Sequence, residues 1–177
     1  MKTNWVLVFL GLFVFNAQAT FAQSTVQDLP NGIYRLCSNS PNGIYSDADF
    51  TEKAGYCLSF RKTGNKIVGG YSNPAQGDRG ICVSGQVSGN TIIGQALEMY
   101  DYALVRKPIR IKPPYSGERF VNWDEFGFLN VRQQQAINIK RSGGYLTGYL
   151  YPSATLKLDN FYRYPQPKYT PPLTCKP

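Results

Sequence analysis

The chain has 177 residues, a net charge of +8 and no histidine. The missing imidazole excludes Ser-His-Asp triads, Cys-His nucleophiles and histidine metal sites. Thirteen tyrosines and ten phenylalanines, with 17 glycines and 12 prolines interrupting the chain, point to many short strands and little helix.

Residues 1–22 read as a cleaved secretory signal peptide. Lys2 supplies the positive start, Trp5 to Phe15 is an apolar run of eleven residues, and Ala17-Gln18-Ala19 is an A-x-A cleavage site, with Ala22 as a second choice. The run falls short of the roughly 20 residues that span a bilayer. No later run is apolar enough to cross, so no transmembrane segment is expected after cleavage. Residues 23–177 are expected to be one secreted or periplasmic domain, large enough for a real core. Losing Lys2 leaves a charge of +7. That excess either attracts anionic partners or keeps the protein soluble.

Cys37, Cys57, Cys82 and Cys175 are an even set behind a signal, which predicts two disulfides. Their gaps of 20, 25 and 93 residues lack the close pairs of a zinc site. Cys37 ends one predicted strand and Cys57 begins the next, so the two meet at one end of the sheet. Cys57 and Cys82 are two strands apart, roughly 9–10 Å, beyond the ~7 Å that a disulfide spans between Cα atoms. The geometry favours Cys37–Cys57 with Cys82–Cys175. Cys57–Cys82 with Cys37–Cys175 stays open if the intervening strand ends early.

In chain order, Gly32 to Ser38 is the first predicted strand, followed by a long loop, Asn39 to Gly55, with acids at Asp47, Asp49 and Glu52. Tyr56–Lys62 and Lys66–Ser72 form a hairpin around Gly64-Asn65, and Ile81–Val87 and Thr91–Glu98 form another around Gly89-Asn90. Each turn is followed by a strand carrying a glycine, Gly69 or Gly94, and a looser third copy runs from Gly143-Gly144 to Gly148. Such glycines permit sharp bending or close approach of another segment. Leu104–Lys112 reads as an edge strand and Phe126–Arg132 as a further strand, with a short helix there as the alternative. Ala136–Arg141 and Tyr145–Tyr151 make the third hairpin, and Ala154–Leu158 alternates as a last strand. Residues 162–177 are a Pro-rich tail, expected to lie extended over the surface and to be pinned by Cys175. The fold class is therefore all-β: an antiparallel meander of eight or nine strands built from hairpins, closed or nearly closed into a small barrel.

Little catalytic chemistry is available. Paired carboxylates are one option, since a glycosidase needs two of them about 5–9.5 Å apart. The candidates are Glu98 with Asp101, and Asp124 with Glu125. Chance pairs of this kind are common, and no catalytic residue, metal ligand or cofactor is assigned. A surface binding patch is assigned instead to Tyr100, Tyr102, Arg106, Lys107, Arg110, Lys112 and Trp123. Arginine pairs with carboxylate or phosphate, and aromatic faces take sugars. The bland alternative is an edge strand guarded by Lys and Pro108 against aggregation.

The hairpins Phe60-Arg61-Lys62-Thr63-Gly64-Asn65-Lys66-Ile67-Val68-Gly69 and Val83-Ser84-Gly85-Gln86-Val87-Ser88-Gly89-Asn90-Thr91-Ile92-Ile93-Gly94 resemble repeats of small secreted bacterial β-barrels of the lipocalin-like (calycin) type. The likeness is strongest over Gly32 to Glu98, with Gly32-Ile33-Tyr34 standing where lipocalins carry Gly-x-Trp. It implies a barrel and carries no activity. The expected function is an exported non-enzymatic binding module for a cell-envelope component, an acidic glycan, a small ligand or a protein. The alternatives are a small carboxylate-dependent glycan hydrolase and an inhibitor of a foreign hydrolase presenting the Asn39–Gly55 loop. Nucleic acid is not expected as a partner of an exported protein.

Overall fold

The computed structural model describes residues 25–77, 80–108 and 117–175, with backbone alone for 100–103. The expected signal peptide lies outside the described residues. Ten strands are formed: β1 (Gly32–Cys37), β2 (Cys57–Thr63), β3 (Lys66–Ser72), β4 (Gly80–Ser88), β5 (Thr91–Val105), β6 (Val121–Asn122), β7 (Leu129–Arg132), β8 (Gln135–Arg141), β9 (Gly144–Lys157) and β10 (Tyr162–Tyr164). One helix, α1 (Asp47–Lys53), interrupts the long loop after β1.

All ten strands belong to one antiparallel sheet ordered β10-β1-β2-β3-β4-β5-β9-β7-β6, with β8 also on β9. Strand β9 is the spine of the second half. One of its edges pairs with β5 along most of its length, while the other is shared end to end by β8, opposite residues 144–150, and β7, opposite residues 153–156. The sheet is open. Its edges are β10 and β6, and among the described residues no ladder joins them, so the closure expected of a barrel is not made by backbone hydrogen bonds. Rings bridge that seam instead: Phe128 meets Phe161 at 5.1 Å, and Tyr56, just before β2, contacts Phe126 at 6.0 Å and Phe128 at 6.4 Å.

Strand alternation explains the core. Tyr34 and Leu36 of β1, Leu58 and Phe60 of β2, Ile67 and Tyr71 of β3, and Ile81, Val83 and Val87 of β4 all point inward and are buried. They join Ile92, Ala96, Leu129, Val131, Tyr149, Tyr151, Ala154 and Leu156 in one hydrophobic cluster. Each large member contributes about 1.5–3 kcal/mol by leaving water. A smaller cluster of Cys37, Cys57, Ala54 and Tyr164, packed by Ile44 and Phe50, lies beneath the α1 excursion.

The repeated hairpins behave as bending devices. Gly64 and Gly89 hold φ of +56° and +59° at the first turn residue, the place where a type II′ hairpin asks for glycine. Further along, Gly85 and Gly94 face each other across β4 and β5. A Cβ on Gly94 would stand 2.0 Å from the Ser84 carbonyl oxygen, and one on Gly85 would stand 2.3 Å from that of Ile93. Only two glycines allow the backbones to close in like this.

Four features differ from the sequence expectation. First, the predicted strands Tyr145–Tyr151 and Ala154–Leu158 are one strand. Pro152, between them, sits in a bulge: Gly94 pairs with Ala154 and Ala96 with Tyr151, so Pro152 and Ser153 together oppose one residue and no ladder amide is required of the proline. Second, Leu104–Lys112 is not a separate edge strand. Leu104 and Val105 end β5, Arg106–Pro108 are not extended in the sheet, and the rest of that stretch lies outside the described residues. Third, the Asn39–Gly55 loop contains α1, which Ser46 caps by accepting from the Asp49 amide at 3.1 Å. Fourth, the tail begins as β10, paired with β1 through Arg35–Tyr164, Leu36–Arg163 and Cys37–Tyr162.

The two disulfides are Cys37–Cys57 and Cys82–Cys175, the pairing that strand geometry favours. Cys37 and Cys57 are direct cross-strand partners. In the chain-entropy view these closures stabilise by roughly 3 and roughly 4.5 kcal/mol. No helix among the described residues is long and apolar enough to cross a membrane.

Candidate functional site

The outer face of the sheet carries a concavity. One row of outward residues runs Ser59–Gly70–Cys82–Leu97–Leu150 across β2, β3, β4, β5 and β9. Its first two members are small, so β2 and β3 leave a low floor. The C-terminal tail passes over that floor. It leaves β10 beside β1, ties to α1 through an ion pair between Lys168 and Asp47, and ends at Cys175, bonded to Cys82 on β4. Lys168 holds the exposed Asp47 carboxyl below its usual range, through their hydrogen bond and then through charge. The tail therefore forms one wall, with Tyr169, Pro171 and Pro172 facing the groove. The opposite wall is Leu97 and Met99 of β5 with Ile139, Arg141 and Leu146 of the β8–β9 hairpin. The space between is about 450 Å³, within the size range of small-molecule sites. Its lining is mainly apolar. Hydroxyls come from Ser59, Ser72, Tyr169, Thr170 and Thr174, and Arg141 is the one charged residue among the described residues of the lining.

Register also gathers cations at one end of this groove. Val105 pairs with Tyr145, which pairs in turn with Lys140, and Arg141 pairs with Gly144. Arg106 and Lys107 follow Val105 directly, so four basic residues collect at the end of β5, β8 and β9. All four are exposed, and none has an ion-pair partner among the described residues. Of the patch assigned from sequence, Arg106 and Lys107 belong to this end. Tyr100 and Tyr102 lie in β5 with side chains outside the description, and Arg110 and Lys112 lie outside the described residues altogether. Trp123 is elsewhere in role: it is half-buried, 5.8 Å from Tyr71 and packed on the core.

Sequence reading missed Lys140 and Arg141, and the apolar wall of Leu97, Met99, Ile139 and Leu146. The signal was present as alternation, since Ile137, Ile139 and Arg141 share one face of β8. That this face meets β5 follows only from the β8-β9-β5 register.

The carboxylates considered for hydrolysis have structural partners. Asp124 is 4% exposed and takes four donors. Its Oδ1 accepts from the amides of Phe126 and Phe128 at 3.0 Å, and its Oδ2 from the Leu129 amide at 2.6 Å and the Tyr71 hydroxyl at 3.1 Å. It thereby fastens the β6–β7 turn to the inner face of β3. Burial, and then the Asp124 charge, pushes the Tyr71 phenol far above its ordinary range. Glu98 accepts from Tyr151 at 2.8 Å, and the same phenol oxygen accepts from Gln134 at 2.8 Å. Burial, and then Glu98, likewise raises Tyr151. Glu125 is exposed, and the Asp101 side chain is outside the description. No group of three or more Asp, Glu and Cys placed to hold a metal occurs among the described residues.

Comparison with protein-family models, curated proteins and solved structures returned no match, so function rests on the chain's own chemistry.

Proposed function

We propose that this chain is an exported, non-enzymatic binding module that holds a small ligand on the outer face of a curled, barrel-like sheet of the lipocalin-like kind. The observation that carries the reading is the groove of about 450 Å³ between the disulfide-pinned tail and the β8–β9 hairpin, mainly apolar and with few polar groups. The inward side chains of β1–β5, β7 and β9 fill one continuous core, which leaves the outer face as the place for a ligand. The two disulfides suit an oxidising compartment. The unbroken order β1-β2-β3-β4-β5 supports the meander shared with that barrel family.

The test is native mass spectrometry of protein purified from its own host, alongside a Gly70→Leu variant. Gly70 lines the groove, and a Cβ added there meets nothing within 4 Å, so leucine fills the site without disturbing the sheet. The expected result is a retained small molecule on the wild-type chain and none on the variant. No retained mass on either protein, together with no small-molecule thermal shift that Gly70→Leu removes, would sink the reading.

A further inference from the structure

We infer that the groove takes a single-chain amphiphile with a monoanionic carboxylate head, a fatty-acid-like molecule. This rests on the binding-module reading and names the chemistry of the same site. Three observations carry it. The walls offer apolar contact along a line, from Ile139 and Leu146 past Leu97 and Met99 to Pro171 and Pro172, which suits an extended hydrocarbon chain. Among the described residues that line it, the groove has one formal charge, Arg141, and no acid. A guanidinium meets a planar carboxylate through two parallel hydrogen bonds, and a single cation neutralises a single anion. Finally, Arg141 stands at the turn end of β8, where Lys140, Arg106 and Lys107 add exposed positive charge. An incoming anion is drawn to the end where its head will sit, while the chain is left to the apolar stretch.

A cationic or zwitterionic head would face this basic end with no acid among the described lining residues to receive it. An uncharged alcohol would gain the apolar contacts but leave the guanidinium without a partner. The ranking expected is therefore carboxylate above alcohol above quaternary ammonium at equal chain length.

The experiment is calorimetric titration of the mature, disulfide-intact chain with dodecanoate, dodecanol and dodecyltrimethylammonium, each below its micellar concentration. It is repeated on Arg141→Gln, Gly70→Leu and Lys157→Gln. Lys157 is an exposed cation at the far end of β9, so its variant makes the same change in net charge away from the groove. Dodecanoate should bind the wild type and Lys157→Gln alike, weaken about tenfold or more on Arg141→Gln, and fail on Gly70→Leu. Dodecanol should bind more weakly and ignore Arg141→Gln.

Two kinds of failure are distinguishable. If dodecanol matches dodecanoate, or Arg141→Gln has no effect while Gly70→Leu still abolishes binding, the groove binds ligand but the anionic head is wrong. If Lys157→Gln weakens dodecanoate as much as Arg141→Gln does, the attraction belongs to net charge and the inference falls. If no probe binds, or Gly70→Leu changes nothing, both the inference and the binding site beneath it are overturned.

Discussion

Gly69 and Gly70 are adjacent in β3 and indistinguishable by composition, yet alanine should act on them in opposite directions. Gly69 faces inward, where a Cβ would lie 2.5 Å from the Phe60 Cβ and 2.5 Å from the Ser59 carbonyl oxygen. Phe60 is fully buried, and the second contact is backbone, so neither neighbour can swing away. The strand pair must separate locally, an overpacking cost of about 1–3 kcal/mol. Gly70 faces outward with nothing within 4 Å of the added atom. There alanine only narrows the unfolded ensemble, a gain of about 0.4–1 kcal/mol. For a domain of this length each kcal/mol moves the midpoint by roughly 2–4 °C. Gly69→Ala should therefore melt about 2–12 °C lower than wild type and Gly70→Ala about 1–4 °C higher. The assay is thermal and urea unfolding of the mature chain with disulfides intact, checked for two-state behaviour. Shifts of the same sign, or a larger loss at Gly70 than at Gly69, would refute the assignment of these glycines to inner face and groove floor.

Three further outcomes are expected. Asp124→Ala strands three backbone amides in a part-buried to buried turn and should lower stability by about 3–5 kcal/mol. Asp124→Asn should cost less, and urea midpoints check both. Tyr71 and Tyr151 have phenols raised by burial and a neighbouring carboxylate, so their contribution is whole below the ordinary tyrosine pKa near 10 and is lost as the pH climbs past it. Ultraviolet titration should find tyrosines that ionise only as the protein unfolds in alkali, and Tyr71→Phe should move that unfolding to higher pH. Asp49 is held down to about 2, first by the Lys53 ammonium and then by the Ser46 hydroxyl and Tyr45 amide. A depressed carboxylate contributes above its unfolded pKa near 4 and is lost as pH falls toward 2. Amide exchange in residues 47–53 should quicken across that window before the sheet does, and salt should blunt the difference.

Much of the meander was legible because its signals are local. Lys66–Ser72 is observed with the predicted bounds, since Gly64-Asn65 and Asn73-Pro74 punctuate it from both sides. The disulfide pairing followed from strand ends. What escaped depends on partners distant in sequence. Tyr145–Tyr151 and Ala154–Leu158 read as two strands until Gln95 is seen opposite Pro152 and Ser153 across a bulge. Tyr162–Tyr164 reads as tail until β1 offers an edge. Helix α1 did leave a trace, Ser46 followed three residues later by Asp49, a capping pair hidden in a loop rich in turn formers. The groove left only the alternation of β8: its walls come from residues 97–99, 139–146 and 169–175, and only the β5-β9-β8 register and the Cys82–Cys175 bond bring them together.

Strand β9 has a consequence for when this protein exists at all. Neither β5 along its far edge, nor β7 and β8 lying end to end, has its full set of neighbours until residue 157 has been made. The other half of the sheet waits for β10 to cover β1, and the covalent fastening of the tail waits for Cys175. Such late, long-range pairings carry a large loop-closure cost and slow folding. A ribosome-bound portion is therefore a collection of unfinished edges with no stopping point short of the whole chain. The finished shape is postponed until Cys175 is present and can be oxidised onto Cys82.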